Sequence, residues 1–265
     1  MNGKHQWRVP GGIMSDTRIA LITGASRGLG RSMATHLARA GVGVIGTYNS
    51  RKDEADRLVA ELEEQGVPAA ALQLDVGDSA GFARFAADVR TTLAGLGAER
   101  VDYLVNNAGV GLYAPFTETT EEQFDELFRI HVKAPFFLTQ TLLPLLADGG
   151  RILNVSSGLA RYTHPGTSAY AAAKGAIEVL TRYQAKELGE RGIRVNALVP
   201  GAIATDFGGG RLRDNAQLNE AVASTIALGR VGEAEDIGAA VPLLLADGFG
   251  WANGTRIELS GGQNL

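Results

Sequence analysis

A regular exchange of short apolar runs with helical stretches constrains this chain more than any other feature. The runs Arg18-Ile-Ala-Leu-Ile-Thr23, Val42 to Tyr48, Ala70 to Leu74, Val101 to Val105, Arg151 to Val155, Arg194 to Leu198 and Thr255 to Leu259 read as strands. Helical spacing separates them at 31–40, 53–65, 79–93, 121–146, 168–188 and 235–246. In the second of these, Ala55, Leu58, Val59 and Leu62 recur on one face, and Gly66 stops the run. Pro135 is expected to bend or break the long stretch 121–146. Strands that alternate with helices must pair in parallel through right-handed crossovers. Strands this apolar need cover on both faces. The expected fold is α/β: a Rossmann-type, doubly wound parallel sheet of about seven strands with helices on both faces. No linker or composition break divides it, so residues 17–265 are read as a single domain. Residues 1–16, with no apolar stretch, are read as a disordered extension or tag.

Bulk composition removes several function classes. The 265 residues contain no Cys, which excludes disulfides, thiolate metal sites and a Cys nucleophile. A net charge of −4 argues against a nucleic-acid binder. No run approaches the roughly 18 apolar residues of a membrane span. A cytoplasmic protein is expected. His5, His36 and His164 form no ligand-spaced cluster, so no metal site is expected.

The first strand runs into Thr23-Gly-Ala-Ser-Arg-Gly-Leu-Gly30, and a helix follows. Gly24, Gly28 and Gly30 let the backbone turn tightly and approach a bulky anion, beside Ser26 and Leu29. The free N–H groups and positive dipole end of the helix suit a pyrophosphate. An NAD site would carry an acid at the end of the second strand, for the ribose 2′-OH. Here that strand ends Gly46-Thr-Tyr-Asn-Ser-Arg-Lys52, with Tyr48 in the acid's place. Arg27, Arg51 and Lys52, with the donors of Asn49 and Ser50, would instead attract a 2′-phosphate. The alternative is that Arg51 and Lys52 are only the solvated start of a helix. NADP(H) is expected over NAD(H), with NAD(H) still usable.

Tyr170-Ala-Ala-Ala-Lys174 opens a helix and places an ammonium one turn from a phenol. A nearby cation favours phenolate and lowers the phenol's pKa from its usual value of about 10. By itself the pair is as consistent with a surface helix. Ser157 changes that reading, because it follows a strand whose carboxyl end is where open α/β sheets bind ligands. A hydroxyl there can polarise a carbonyl.

Taken together, these motifs resemble the short-chain dehydrogenase/reductase family over roughly Arg18 to Gly262. The spacing Thr-Gly-x-x-x-Gly-x-Gly is the form found in that family. The resemblance implies that Ser157, Tyr170 and Lys174 are catalytic, with Ser156 structural, and that Tyr170 and Lys174 also contact the cofactor. It implies that Asp75 and Val76 contact adenine, and that Asn106-Asn107-Ala108-Gly109 stabilises the sheet and lines the cofactor. Pro200, Gly201, Ile203 and Thr205 would hold the carboxamide. NADP-preferring, 3-oxoacyl-reductase-like members are the nearest in motif. A homotetramer or dimer is implied through 121–146, 168–188 and the last strand. The substrate would be a small carbonyl or alcohol, reached from Val110 to Phe116, Gly158 to Gly166 and a lid at Ala202 to Gln217. On that lid Phe207 and Leu212 suit an apolar substrate, and Arg211 and Arg213 an anionic one.

Two positions depart from the family pattern. His131 stands where an Asn usually holds a proton-relay water. It would hold the same water or relay protons itself, showing an ionisation near pH 6 to 7, or serve as a packed helix histidine. Ser260-Gly-Gly262 replaces the usual Asp-Gly-Gly. The rival function is a non-catalytic dinucleotide-binding sensor or scaffold, and epimerisation on the same fold is a third reading.

Overall fold

The computed structural model describes residues 17–265; the reading of residues 1–16 lies outside them. Seven strands form one sheet: β1 (Ile19–Ile22), β2 (Gly43–Tyr48), β3 (Ala69–Gln73), β4 (Val101–Asn106), β5 (Leu146–Val155), β6 (Arg194–Pro200) and β7 (Arg256–Leu259). Their order is β3-β2-β1-β4-β5-β6-β7, and every pair is parallel. The order reverses between β1 and β4, so the carboxyl ends of these two strands open a crevice.

Six helices matter for the site: α1 (Gly28–Arg39), α2 (Lys52–Glu64), α3 (Phe82–Gly95), α4 (Glu121–Phe128), α5 (Ala134–Leu142) and α6 (Ser168–Glu187). Successive strand residues point to opposite faces, which sorts the apolar runs into two cores. Ala20, Ile22 and Val44 pack with Met33 and Leu37 of α1 and Leu58 and Leu62 of α2. Ile19, Leu21 and Ile45 pack on the other face with Phe85 and Val89 of α3 and Leu138 of α5.

The long stretch 121–146 behaves differently from the expectation. Its break lies before Pro135, in a single π-helical turn over Arg129–Lys133, where the N–H of Ala134 reaches the carbonyl of Arg129. Pro135 then sits in the first turn of α5, where a missing N–H is tolerated. It therefore gives no N–H to the carbonyl of His131. The stretch also ends early, because Leu146 already pairs with Val101 in the sheet. The expected helix 235–246 is two short pieces, Ala234–Gly238 and Val241–Leu244, with Pro242 at the start of the second.

Candidate active site

A cleft of about 480 Å³ lies over the carboxyl ends of β1, β4, β5 and β6. It begins at the turn from β1 to α1. Gly24 and Gly28 there hold φ of +67° and +54°, a region that glycine enters without strain. A Cβ on Gly30 would press into the Gly24 carbonyl and lie 2.7 Å from the Asn107 amide. The turn is therefore closed down around bare backbone. No side chain caps α1 at Arg27, which leaves the N–H groups of its first turn available to an anion. These observations fit a dinucleotide pyrophosphate.

Thr23 locks this turn to the next strand. Its hydroxyl accepts from the N–H of Asn107 and of Ala108, each at 2.9 Å. The Asn107 side chain donates back to the carbonyls of Thr23 (2.9 Å) and Gly24 (3.2 Å). Thr47 at the end of β2 accepts from the Gly24 N–H at 3.1 Å. The glycine motif includes Thr23 but assigned it no role, and Thr47 was not singled out, although a β-branched hydroxyl beside each strand end was the available signal.

All but one of the nominated cofactor residues line the cleft: Gly24, Ser26, Arg27, Gly28, Leu29, Tyr48, Asn49, Ser50, Arg51, Asp75, Val76, Asn107, Ala108, Gly109, Pro200, Gly201, Ile203 and Thr205. Ser157, Tyr170, Lys174 and His131 line it too; Lys52 is absent from the lining. Each nominated cation already has a carboxylate partner. Arg51 pairs with Glu54 at 2.9 Å and Lys52 with Asp56 at 2.6 Å, within one helical turn. Arg27 pairs with Asp206, across the cleft mouth. The two helical pairs were readable from their i,i+3 and i,i+4 spacing.

At the far end α6 delivers Tyr170 and Lys174 beside Ser157, which follows β5. The Lys174 ammonium lies 5.5 Å from the Tyr170 ring centre and donates to the Val155 carbonyl at 2.7 Å. Lys174 is buried, and that burial lowers its pKa to about 7. Tyr170 is half-buried, facing the cleft. Desolvation pushes its phenol above the ordinary value, and the Ser157 side chain acts in the opposite direction. Sequence reasoning expected the ammonium to lower the phenol. The direction is the opposite of that expectation, because removing water from the phenol disfavours phenolate. The Ser156 hydroxyl is engaged by the Lys174 carbonyl (3.1 Å) and Glu178 (2.8 Å).

His131 stands with its ring perpendicular to that of Tyr170, centres 5.2 Å apart. Its Nε2 meets the Val110 carbonyl at 2.8 Å, so Nε2 carries the hydrogen and donates. Its Nδ1 is buried without a protein partner. A Cβ on Gly109 would lie 2.5 Å from the imidazole Cε1, so only glycine leaves room for this ring. Burial, reinforced by the Lys174 charge, drops the His131 pKa to about 3. This corrects the expected ionisation near pH 6 to 7: the imidazole is neutral throughout that range.

Two buried asparagines tie the site to the fold. The Asn106 amide donates to Asn154 Oδ1 at 2.8 Å and to Thr139 at 3.1 Å. Asn154 in turn donates to Thr181 and Gln184 of α6, each at 2.9 Å. Among the described residues no group of acidic or histidine side chains is placed to hold a metal ion.

Comparison with known proteins agrees with this geometry. Residues 24–264 match a family model described as enoyl-(acyl carrier protein) reductase. A short-chain dehydrogenase/reductase of Pestalotiopsis microspora is 36% identical over 258 residues, covering 94% of this chain and 96% of the relative. The chain belongs to the short-chain dehydrogenase/reductase family. It is an NAD(P)-dependent oxidoreductase. Another family member, the hydroxynaphthalene reductase-like protein Arp2 of Metarhizium brunneum, is 34% identical over 93% of this chain and 94% of its own. Among solved structures of the family, a promiscuous reductase that catalyses keto-reduction at C1 in lugdunomycin biosynthesis superposes with a TM-score of 0.88 at 37% identity. That alignment covers 94% of this chain and 98% of the other. The angucycline C-6 ketoreductase LanV with bound NADP gives 0.88 at 35% identity, over 93% and 95%.

Proposed function

We propose that this protein is an NADPH-dependent ketone reductase in which Tyr170 is the acid, Ser157 binds the substrate oxygen and Lys174 tunes and recharges Tyr170. The observation that carries the reading is the convergence of these three side chains on one cleft with the glycine turn. The cofactor, when bound, supplies hydride to the carbonyl carbon. Ser157 donates a hydrogen bond to the carbonyl oxygen and steadies its growing negative charge. Tyr170 passes its phenolic proton to that oxygen. Its raised pKa keeps it protonated before turnover. Lys174, with a pKa of about 7, can hold or release a proton at neutral pH and so replace the one Tyr170 gives up. His131 stays neutral and holds the Val110 turn beside the phenol.

The preference for NADPH rests on Arg27 and Arg51 in the cleft lining and on the lack of an acid at Tyr48. The NADP bound to the LanV ketoreductase supports it.

For the substrate we infer a ketone on a fused aromatic ring system. Leu159, Val110, Phe207 and Leu212 line the cleft, and the Phe207 ring centre lies 6.0 Å from that of Tyr170. The arginines that suggested an anionic substrate are engaged elsewhere. Arg211 lies over the Tyr113 ring at 4.5 Å, and Arg213 pairs with Asp214 at 2.7 Å. The hydroxynaphthalene reductase-like relative and the reductase of C1 keto-reduction in lugdunomycin biosynthesis support this class. Exposed Phe124, Phe136, Phe137, Val179 and Tyr183 on α4, α5 and α6 give a homo-oligomer its apolar face.

The test is NADPH oxidation against a panel of naphthol-type ketones, tetralones, short 3-oxoacyl thioesters and sugars. Fastest turnover on the ring ketones is expected. Fastest turnover on the thioesters or sugars would overturn the ring-ketone reading, and equal turnover with NADH would overturn the NADPH preference.

A further inference from the structure

The peptide after β6 carries two side chains to opposite ends of the cleft. Asp206 pairs with Arg27 in the glycine turn, and its carboxylate approaches Gly28, where a Cβ would lie 3.4 Å away. The next residue, Phe207, places its ring centre 6.0 Å from that of Tyr170. Gly208, Gly209 and Gly210 follow with φ of +62°, +79° and +74°. A Cβ on Gly208 or Gly209 would meet nothing within 4 Å, so these two are glycine for their backbone conformation and not for space. The Gly210 N–H donates to the Asp206 carbonyl at 3.1 Å, so the backbone here is held and only the Asp206 side chain need turn away from Arg27.

The Arg27–Asp206 pair is also half open to solvent, with the guanidinium 51% exposed. Such pairs are weak, and a dianionic phosphate is a stronger partner for arginine than one carboxylate. Arg51 is different: its partner Glu54 belongs to the same helix and cannot swing away with a loop.

We infer that Asp206 is a specificity-determining residue, which competes with the cofactor's 2′-phosphate for Arg27 and so restrains the preference for NADPH over NADH. The inference rests on the proposed reading of NADPH by Arg27. NADH has no 2′-phosphate and leaves the Arg27–Asp206 pair in place. NADPH must displace Asp206, and it then lies close to a released carboxylate. Removing the charge at 206 therefore strengthens NADPH binding and leaves NADH binding alone.

The experiment is the dissociation constant of NADPH and of NADH, measured by cofactor fluorescence, for the wild type, Asp206→Asn and Arg27→Ala. Asp206→Asn keeps the side-chain shape at a partly exposed position, and a thermal melt checks that it folds. The expected result is NADPH binding about two- to fivefold tighter in Asp206→Asn, the factor that one surface ion pair supplies. NADH binding is unchanged. Arg27→Ala weakens NADPH and spares NADH. Unaltered NADPH affinity in Asp206→Asn, or equal shifts for both cofactors, overturns the role of Asp206 while a selective Arg27→Ala loss leaves the NADPH reading standing. Equal losses for both cofactors in Arg27→Ala overturn the NADPH reading of Arg27 itself.

Discussion

Acid should unfold this protein partly through His131, and the effect can be worked out from its surroundings. The imidazole is 2% exposed, and burial beside Lys174 lowers its pKa from 6.5 to about 3. The unfolded chain therefore binds a proton at His131 between pH 6.5 and 3, where the folded chain does not. A group with a depressed folded pKa contributes stability that is present above its unfolded value and is lost as pH falls toward the folded one. With those two pKa values the loss is about 2 kcal/mol at pH 5 and about 3 kcal/mol at pH 4, levelling near 5 kcal/mol below pH 3. The assay is urea unfolding at pH 7, 5 and 4 for the wild type and His131→Asn. Carboxylates titrate in both proteins and cancel in the difference. The variant starts less stable at pH 7, since it loses the bond to Val110 and some packing. The gap should then shrink by about 2 kcal/mol at pH 5 and 3 kcal/mol at pH 4. A gap that stays constant from pH 7 to pH 4 would refute the argument, because it would mean that the folded imidazole titrates like a free one.

Three further outcomes follow from the same structure. Tyr170→Phe should cut turnover at least about a hundredfold, the usual worth of a positioned acid, while NADPH binding measured by fluorescence persists. Asn154→Ala leaves the Asn106 amide without one acceptor and Thr181 and Gln184 without a donor, all close to the sheet. It should cost roughly 2–4 kcal/mol in chemical denaturation, well above a typical surface change. Gly109→Ala would drive a methyl against the His131 ring. It should lower the melting temperature by the equivalent of about 1–3 kcal/mol, and Gly109→Ala combined with His131→Asn should recover part of that loss.

Much of the fold was legible because a parallel sheet buried on both faces writes its strands as apolar runs, and β1, β2, β4 and β6 stand out in that way. The glycine turn was equally clear, since its spacing and its place between strand and helix both point to an anion. The breaks were harder to see. Pro135 marks the neighbourhood of the irregularity in 121–142 but not its position, because a proline is harmless in the first turn of a helix and the π-turn lies just before it. Site electrostatics were less legible still. The Tyr170–Lys174 spacing shows that the two groups are near each other, but not that both are stripped of water, and desolvation reverses the sign of the phenol's shift. For the same reason the spacing of His131 suggested a neutral-pH switch, whereas burial holds its pKa well below that range. The Arg27–Asp206 pair joins residues far apart in the sequence, and no local pattern announces it.

The asparagine ladder through Asn106 and Asn154 has a consequence for how proteins of this kind diversify. It fixes α6 against β5 through bonds that touch neither cofactor nor substrate. The helix that carries Tyr170 and Lys174 thus takes its position from the sheet and not from the loops at 110–116 and 202–217. Those loops can be rewritten to admit a new molecule while the proton-handling geometry beneath them stays still. Substrate range and chemical competence are inherited separately in such a protein, and a change in the first need not be purchased from the second.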